Sequence, residues 1–148
     1  MTSQPALGQY EEIYTEVRYG ETDQMGYAHH STAVLWFEMG RVAWLRKHGL
    51  SYRDLEASGV LLPVVEMTMK YHTPGRFEDP LVIQTRLVDL GKTRVTFENR
   101  VLRVEPDPNK RALLVSGIVE LACLDKEGKI RRVPPSFHDI WHKVKAHG

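Results

Sequence analysis

The feature that most limits how this chain can fold is the run from Ala33 to His48, A-V-L-W-F-E-M-G-R-V-A-W-L-R-K-H, followed by Gly49. Its first five residues and residues 42–45 are apolar, so apolar groups occupy most of the circumference near its start. A helix of that kind does not rest with one face in water, and the expectation is a helix largely enclosed by the rest of the chain. Arg46, Lys47 and His48 suit its C-terminal end, where the helix dipole favours positive charge. Gly49 is a natural C-cap. Ser31 or Thr32 can cap its start by accepting a hydrogen bond from the first free N–H groups.

Ahead of this helix, Ile13, Thr15, Val17 and Tyr19 alternate with Tyr14, Glu16 and Arg18, the period of a half-buried strand. Between strand and helix lies a polar loop, residues 20–31, holding Glu21, Asp23, Gly26, His29 and His30. The first N–H groups of a helix lack internal partners and attract negative charge. Acid, turn and helix start together can therefore build a site.

Behind the helix, residues 51–58 read as a short second helix with a Ser51/Asp54 capping box, ended by Gly59. Strand periodicity then takes over. Residues 61–72 alternate, T-P-G-R-F-E-D-P makes a turn-rich connection, and residues 81–90 and 93–105 flank the tight turn Gly91-Lys92. Residues 111–125 form another long strand, and residues 130–133, beyond the Lys126-Glu127-Gly128 turn, a short last one. After Pro134-Pro135, Ser136 and Asp139 are placed to cap an amphipathic segment containing Phe137, Ile140, Trp141 and Val144. This order indicates an α+β domain, with one mostly antiparallel sheet curled round the long helix. Such a sheet leaves an outer face and two edges open, which invites oligomerisation.

With 148 residues the chain suits a single domain, 1–148, with residues 1–12 as a flexible lead-in. A formal net charge of +1 argues against general nucleic-acid binding. The lone cysteine, Cys123, has no internal disulfide partner and sits in an apolar run, which suggests a reducing compartment and a buried, inert thiol. No apolar run is long enough to cross a bilayer, and residues 1–12 lack the charged start and apolar centre of a signal peptide. The expectation is a cytoplasmic protein without membrane association.

The run E-T-D-Q-M-G-Y-A-H-H-S-T-A-V-L-W-F-E, residues 21–38, and the later K-Y-H-T-P-G-R-F-E-D-P-L-V-I, residues 70–83, resemble hotdog-fold acyl-CoA thioesterases of the 4-hydroxybenzoyl-CoA thioesterase type. The order and length of elements agree over nearly the whole chain. The resemblance implies a curled antiparallel sheet around one long central helix and a homodimer or homotetramer whose active site lies at a subunit interface. It places the catalytic aspartate on Asp23 and the motif histidine on His30. It puts the backbone N–H groups that polarise the thioester carbonyl at about His30, Ser31 and Thr32. Thr32-Ala33 stands where the family commonly has Asn-Tyr.

Thioester hydrolysis needs a nucleophile or activated water and a polarised carbonyl. Asp23 could attack directly, forming a mixed anhydride, or act as general base toward water. Alternatively it only orders the Gly26 turn. Glu21 reads as solvated, or as a like-charge neighbour of Asp23. His30 could contact substrate, orient water, or simply cap or pack. Adjacent histidines rarely converge on one ion, so no metal is expected, and no cofactor beyond the coenzyme A of the substrate. Glu38 within the helix is either a second catalytic carboxylate or a buried partner for Arg41 or for an arginine of another subunit, and the paired role is favoured because an unpaired buried charge is costly. Gly26, Lys70, Arg76 and Arg94 are the candidate substrate-binding residues, with His72, Lys92, Arg131 and Arg132 as further possible phosphate contacts. An acyl group carried on acyl carrier protein, or non-catalytic binding of acyl-CoA, are the alternatives.

Overall fold

Period-2 alternation becomes five strands and period-3.6 runs become three helices in the computed structural model, which describes residues 9–107 and 109–146. Strand β1 spans Glu11–Glu16, and a single 3-10 turn, Tyr19–Glu21, leads into the polar loop. Helix α1 spans Thr32–Lys47 and α2 Tyr52–Ala57. Strands β2 (Val64–Tyr71), β3 (Pro80–Leu90), β4 (Arg94–Val104) and β5 (Arg111–Ala122) follow, and α3 spans Pro135–Ala146.

The five strands form one antiparallel sheet in the order β1-β3-β4-β5-β2, so consecutive β1 and β2 lie on opposite edges. The chain between them must cross the whole sheet, and α1 makes that crossing. Register shifts at Val64/Glu66, Leu87/Asp89 and Val101/Leu102 bend the sheet round the helix, as extra residues in one strand do. Inward-facing Ile83, Leu87, Val95, Phe97, Val119 and Leu121 are fully enclosed beneath Phe37, Trp44 and Leu45 of α1. Trp44 meets Phe97 edge-on, ring centroids 5.2 Å apart, the arrangement favoured by the aromatic quadrupoles. Two glycines allow the close seating. A Cβ on Gly40 of α1 would come within 2.8 Å of Ile83 Cγ2, and one on Gly117 of β5 within 2.7 Å of the Phe37 ring. This is the hotdog architecture, α+β, expected from the sequence.

The details differ in five places. Strand β1 ends at Glu16, and Tyr19 turns outward rather than continuing the alternation. The expected lead-in at residues 1–12 falls partly outside the described residues, but Glu11 and Glu12 are paired with Thr85 and Gln84 in β1. Residues 130–133 do not form a strand. Their hydrogen bonds are split between hairpins, Arg131 N–H to Cys123 and Val133 N–H to Lys92, with only an isolated bridge from Leu124 to Ile130. Neither Ser31 nor Ser51 caps its helix through its side chain. Finally, α1 is not enclosed all round: Val34 and Leu35 remain 42% and 49% exposed, on a face that one chain alone leaves uncovered.

Candidate active site

The loop before α1 is a folded unit. Thr22 bridges Ala28, Asp23 N–H donates to Tyr27 C=O at 2.7 Å, and Gly26 takes φ +82° to close the turn. That left-handed conformation strains any residue with a Cβ, which accounts for glycine at position 26. Asp23 organises the turn through one oxygen. Its Oδ1 accepts N–H bonds from Met25 at 2.9 Å and Tyr27 at 3.1 Å, while Oδ2 has no hydrogen-bond partner among the described residues. The aspartate thus performs the turn-ordering role and still presents one free carboxylate oxygen.

Glu21, expected to be solvated or a like-charge neighbour of Asp23, is turned instead to Arg18. It is buried, accepting the Arg18 N–H at 2.9 Å on Oε1 and meeting the Arg18 guanidinium at 3.0 Å on Oε2. The 3-10 turn places the two residues three apart, and the pair anchors the start of the loop. Glu21 C=O in turn accepts from the buried Thr32 hydroxyl at 3.0 Å and from His29 N–H at 2.8 Å, tying the loop to the first turn of α1.

The amides at the helix entry divide into used and free. Thr32 N–H donates to His29 C=O, Ser31 N–H to His29 Nδ1, and Val34 N–H to Ser31 C=O. Ser31 Oγ lies 2.7 Å from the same His29 nitrogen, which is why it does not cap the helix. Among the described residues the N–H groups of His30 and Ala33 find no acceptor. Of the three positions expected to supply free amides, His30 does so, whereas those of Ser31 and Thr32 are engaged. The chain is held just beyond the free His30 N–H, because the His30 C=O, in the peptide it shares with the engaged Ser31 N–H, accepts the Tyr71 hydroxyl at 2.7 Å. His29 and His30 stack with ring centroids 4.2 Å apart and share no acid that would make a metal site; no metal-binding cluster occurs among the described residues.

Beside these amides opens a cleft of about 240 Å³ between α1 and the ends of β2 and β5. Its walls include Ala28, His30, Ala33, Trp36, Tyr71, Gly75 and Leu114, a mostly apolar set. Asp23 does not line this cleft in the single chain, though its turn leads directly into Ala28, which does.

The candidate substrate-binding residues do not converge. Arg76 is next to the loop, bridged to Tyr27 with its guanidinium 5.3 Å from the Tyr27 ring centroid. Lys70 instead points to the outer face of the sheet, beside Glu98, Arg100 and Ser116, where burial pushes the Glu98 carboxyl up from its usual range. Arg94 lies at the opposite end of the sheet and pairs with Glu120 at 2.9 Å. Lys92, Arg131 and Arg132 cluster at that same far end, with His138 and His142 of α3. His72 lines the cleft. Alternation along a strand told Lys70 from Tyr71, but which face meets α1 was settled by packing. The role of Tyr71 was not anticipated; its one signal was its place in the K-Y-H-T-P-G stretch.

Comparisons with known proteins bear on the family of the chain. The thioesterase superfamily profile matches residues 25–108. The chain is 31% identical over 134 residues to a putative acyl-CoA thioesterase, YneP, of Bacillus subtilis, covering 88% of this chain and 94% of that protein. It is 33% identical over 122 residues to the acyl-CoA thioester hydrolase YbgC of Escherichia coli, covering 82% and 87%. The crystal structure of a DHNA-CoA thioesterase from Staphylococcus aureus superposes with a TM-score of 0.83 at 28% identity, covering 93% of this chain and 91% of that one. Fold, loop and profile match lead to one conclusion: this chain belongs to the thioesterase superfamily.

Proposed function

We propose that this protein hydrolyses acyl-CoA thioesters to a free acid and coenzyme A, with Asp23 as nucleophile or general base and the amides at the α1 entry as the oxyanion hole. The observation that carries the reading is that one loop holds both a carboxylate with a free oxygen, that of Asp23, and, where it enters α1, the free His30 and Ala33 N–H groups beside an apolar cleft. Charge develops on the thioester oxygen during attack, and donors fixed in advance stabilise it without reorganising, each to the extent of about 10²–10³ in rate. Tyr71 acts as a positioning residue, tethering the His30–Ser31 peptide next to the one that carries the free His30 N–H. The apolar walls take the acyl group.

A second copy of the chain completes the groove. The edge of β2 away from β5 is open and Val34 and Leu35 of α1 are exposed, and unpaired strand edges and exposed apolar groups both invite a second chain. Antiparallel pairing of two β2 edges brings the far end of the second sheet, with Lys92, Arg94, Arg131 and Arg132, beside the first cleft. Cations there suit the phosphates of coenzyme A.

Asp23→Asn tests the assignment. Asparagine keeps an Oδ1 acceptor for Met25 and Tyr27, so the turn survives, but it cannot attack or take a proton. Steady-state hydrolysis of acyl-CoA should fall by about 10²–10⁴-fold, while binding of acyl-CoA persists. Unchanged turnover removes Asp23 from the chemistry.

A further inference from the structure

We propose that Arg41 and Glu38 form a reciprocal ion pair between two copies of this chain, Arg41 of each copy closing on Glu38 of the other across a two-fold axis. This rests on the reading that a second copy covers α1, and it names the polar contact that fixes how that copy sits.

The argument starts from a guanidinium with no counter-charge. Arg41 is 6% exposed, its Nε donates to the Tyr52 hydroxyl at 3.3 Å, and Nη1 is enclosed without a partner. No carboxylate lies within ion-pair distance of it among the described residues, although eight such contacts occur elsewhere in the chain. Arginine cannot escape by losing its proton, so a buried unpaired guanidinium is a standing penalty that a carboxylate would remove.

Glu38 presents the complementary deficit. It is exposed, has no cation partner among the described residues, and sits between Val34 and Val42 on the uncovered side of α1. The two residues are three apart, so they lie about 60° from one another round the helix. They do not pair with each other within the chain.

Their direction follows from what neighbouring positions touch. Gly40 abuts Ile83 and Thr85 of β3, and Phe37 abuts Gly117 of β5. Continuing round the helix in the same sense, beyond the positions that meet β3 and β5, come Arg41, Val34 and Glu38. That stripe is apolar at one end and carries one acid and one base, each lacking a counter-charge among the described residues. A two-fold axis near it matches both charges at once, because in an isologous contact residue i meets j and j meets i. The same contact covers Val34 and Leu35.

The test uses this reciprocity. Glu38→Arg and Arg41→Glu are each made in the full chain, and dimer dissociation constants are measured by sedimentation equilibrium. Each variant alone places like charges across the axis, and its dissociation constant should rise by a hundredfold or more. A 1:1 mixture of the two variants carries two arginines on one chain and two glutamates on the other, so both pairs re-form. The mixture should give a heterodimer within about tenfold of wild-type affinity, with hydrolysis restored; pairing within one helix predicts no such rescue. If both variants fold, by circular dichroism, and the mixture stays monomeric, the proposal is overturned. A monomeric wild-type chain overturns it together with the two-copy reading, whereas a wild-type dimer without rescue overturns it alone. Should Arg41→Glu not fold, Arg41→Met, Glu38→Gln and their double variant replace it: coupling of tenfold or more in the dissociation constant supports the pair, and additivity overturns it.

Discussion

Replacing Gly40 by alanine sets two opposite effects against each other. Within a helix the substitution is favourable by about 1 kcal/mol, because glycine surrenders more backbone freedom on folding. Here, however, the new methyl group would meet Ile83 Cγ2 at 2.8 Å and Asn99 Nδ2 at 3.2 Å, and would come closer still to Thr85 Oγ1. Overpacking in a fitted core costs about 1–3 kcal/mol. Moving the Thr85 hydroxyl also breaks its buried 2.8 Å bond from Asn99 Nδ2. Asn99 Oδ1 already has no partner among the described residues, so its amide group would then be wholly unsatisfied, adding about 1–3 kcal/mol. The losses exceed the gain, and Gly40→Ala should destabilise by about 1–5 kcal/mol. At about 2–4 °C per kcal/mol for a domain of this size, the melting temperature falls measurably. Guanidinium denaturation at fixed protein concentration reads the change, and Gly40→Ala/Thr85→Ala, which removes the obstructing hydroxyl, should recover part of it. A single variant as stable as wild type would refute the close seating of α1 on β3 and β4.

Tyr71→Phe removes the 2.7 Å bond to His30 C=O; stability should fall by about 0.5–1 kcal/mol at this exposed site, and on the proposed role of the His30 N–H kcat/KM should fall by up to about tenfold as the chain next to it loses a tether. His48 stacks on Trp44 at 4.1 Å, and burial holds its pKa below the usual 6.5 despite Glu11 at 3.5 Å. A depressed histidine stabilises the fold in its neutral form. That contribution is present above pH 6.5 and is lost as pH falls through the lower folded value. His48→Gln should therefore flatten the decline in denaturation midpoint between pH 7.5 and 5.5, and an unchanged slope would contradict it. Burial also pushes the Cys123 thiol up, so a thiol reagent should label it only in denaturant; rapid labelling of the folded protein would show the core open there.

Local periodicity was enough to define most elements, because burying one face imposes period 2 on strands and 3.6 on helices. The turn glycine at position 26, the hairpin at Gly91-Lys92 and the amphipathic face of Phe137, Ile140 and Val144 were all legible for that reason. So was the place of Asp23 in a turn ahead of a helix start. Long-range packing decided the rest. Glu21 and Asp23 are both loop acids in sequence, yet the Arg18 clamp buries the first and the turn leaves an oxygen of the second free. Lys70 and Tyr71 are neighbours in sequence, and only the sheet's curl round α1 sends one to the outer face and the other to the His30 peptide. Arg94 is charged and well spaced for a phosphate, but strand order carries it to the far end. The apolar circumference of α1 marked a helix that must be covered. What one chain covers is a single face, packed on the five-stranded sheet, while Val34 and Leu35 stay exposed, because which positions of an apolar helix meet the sheet is decided by tertiary packing and not by any period in the sequence.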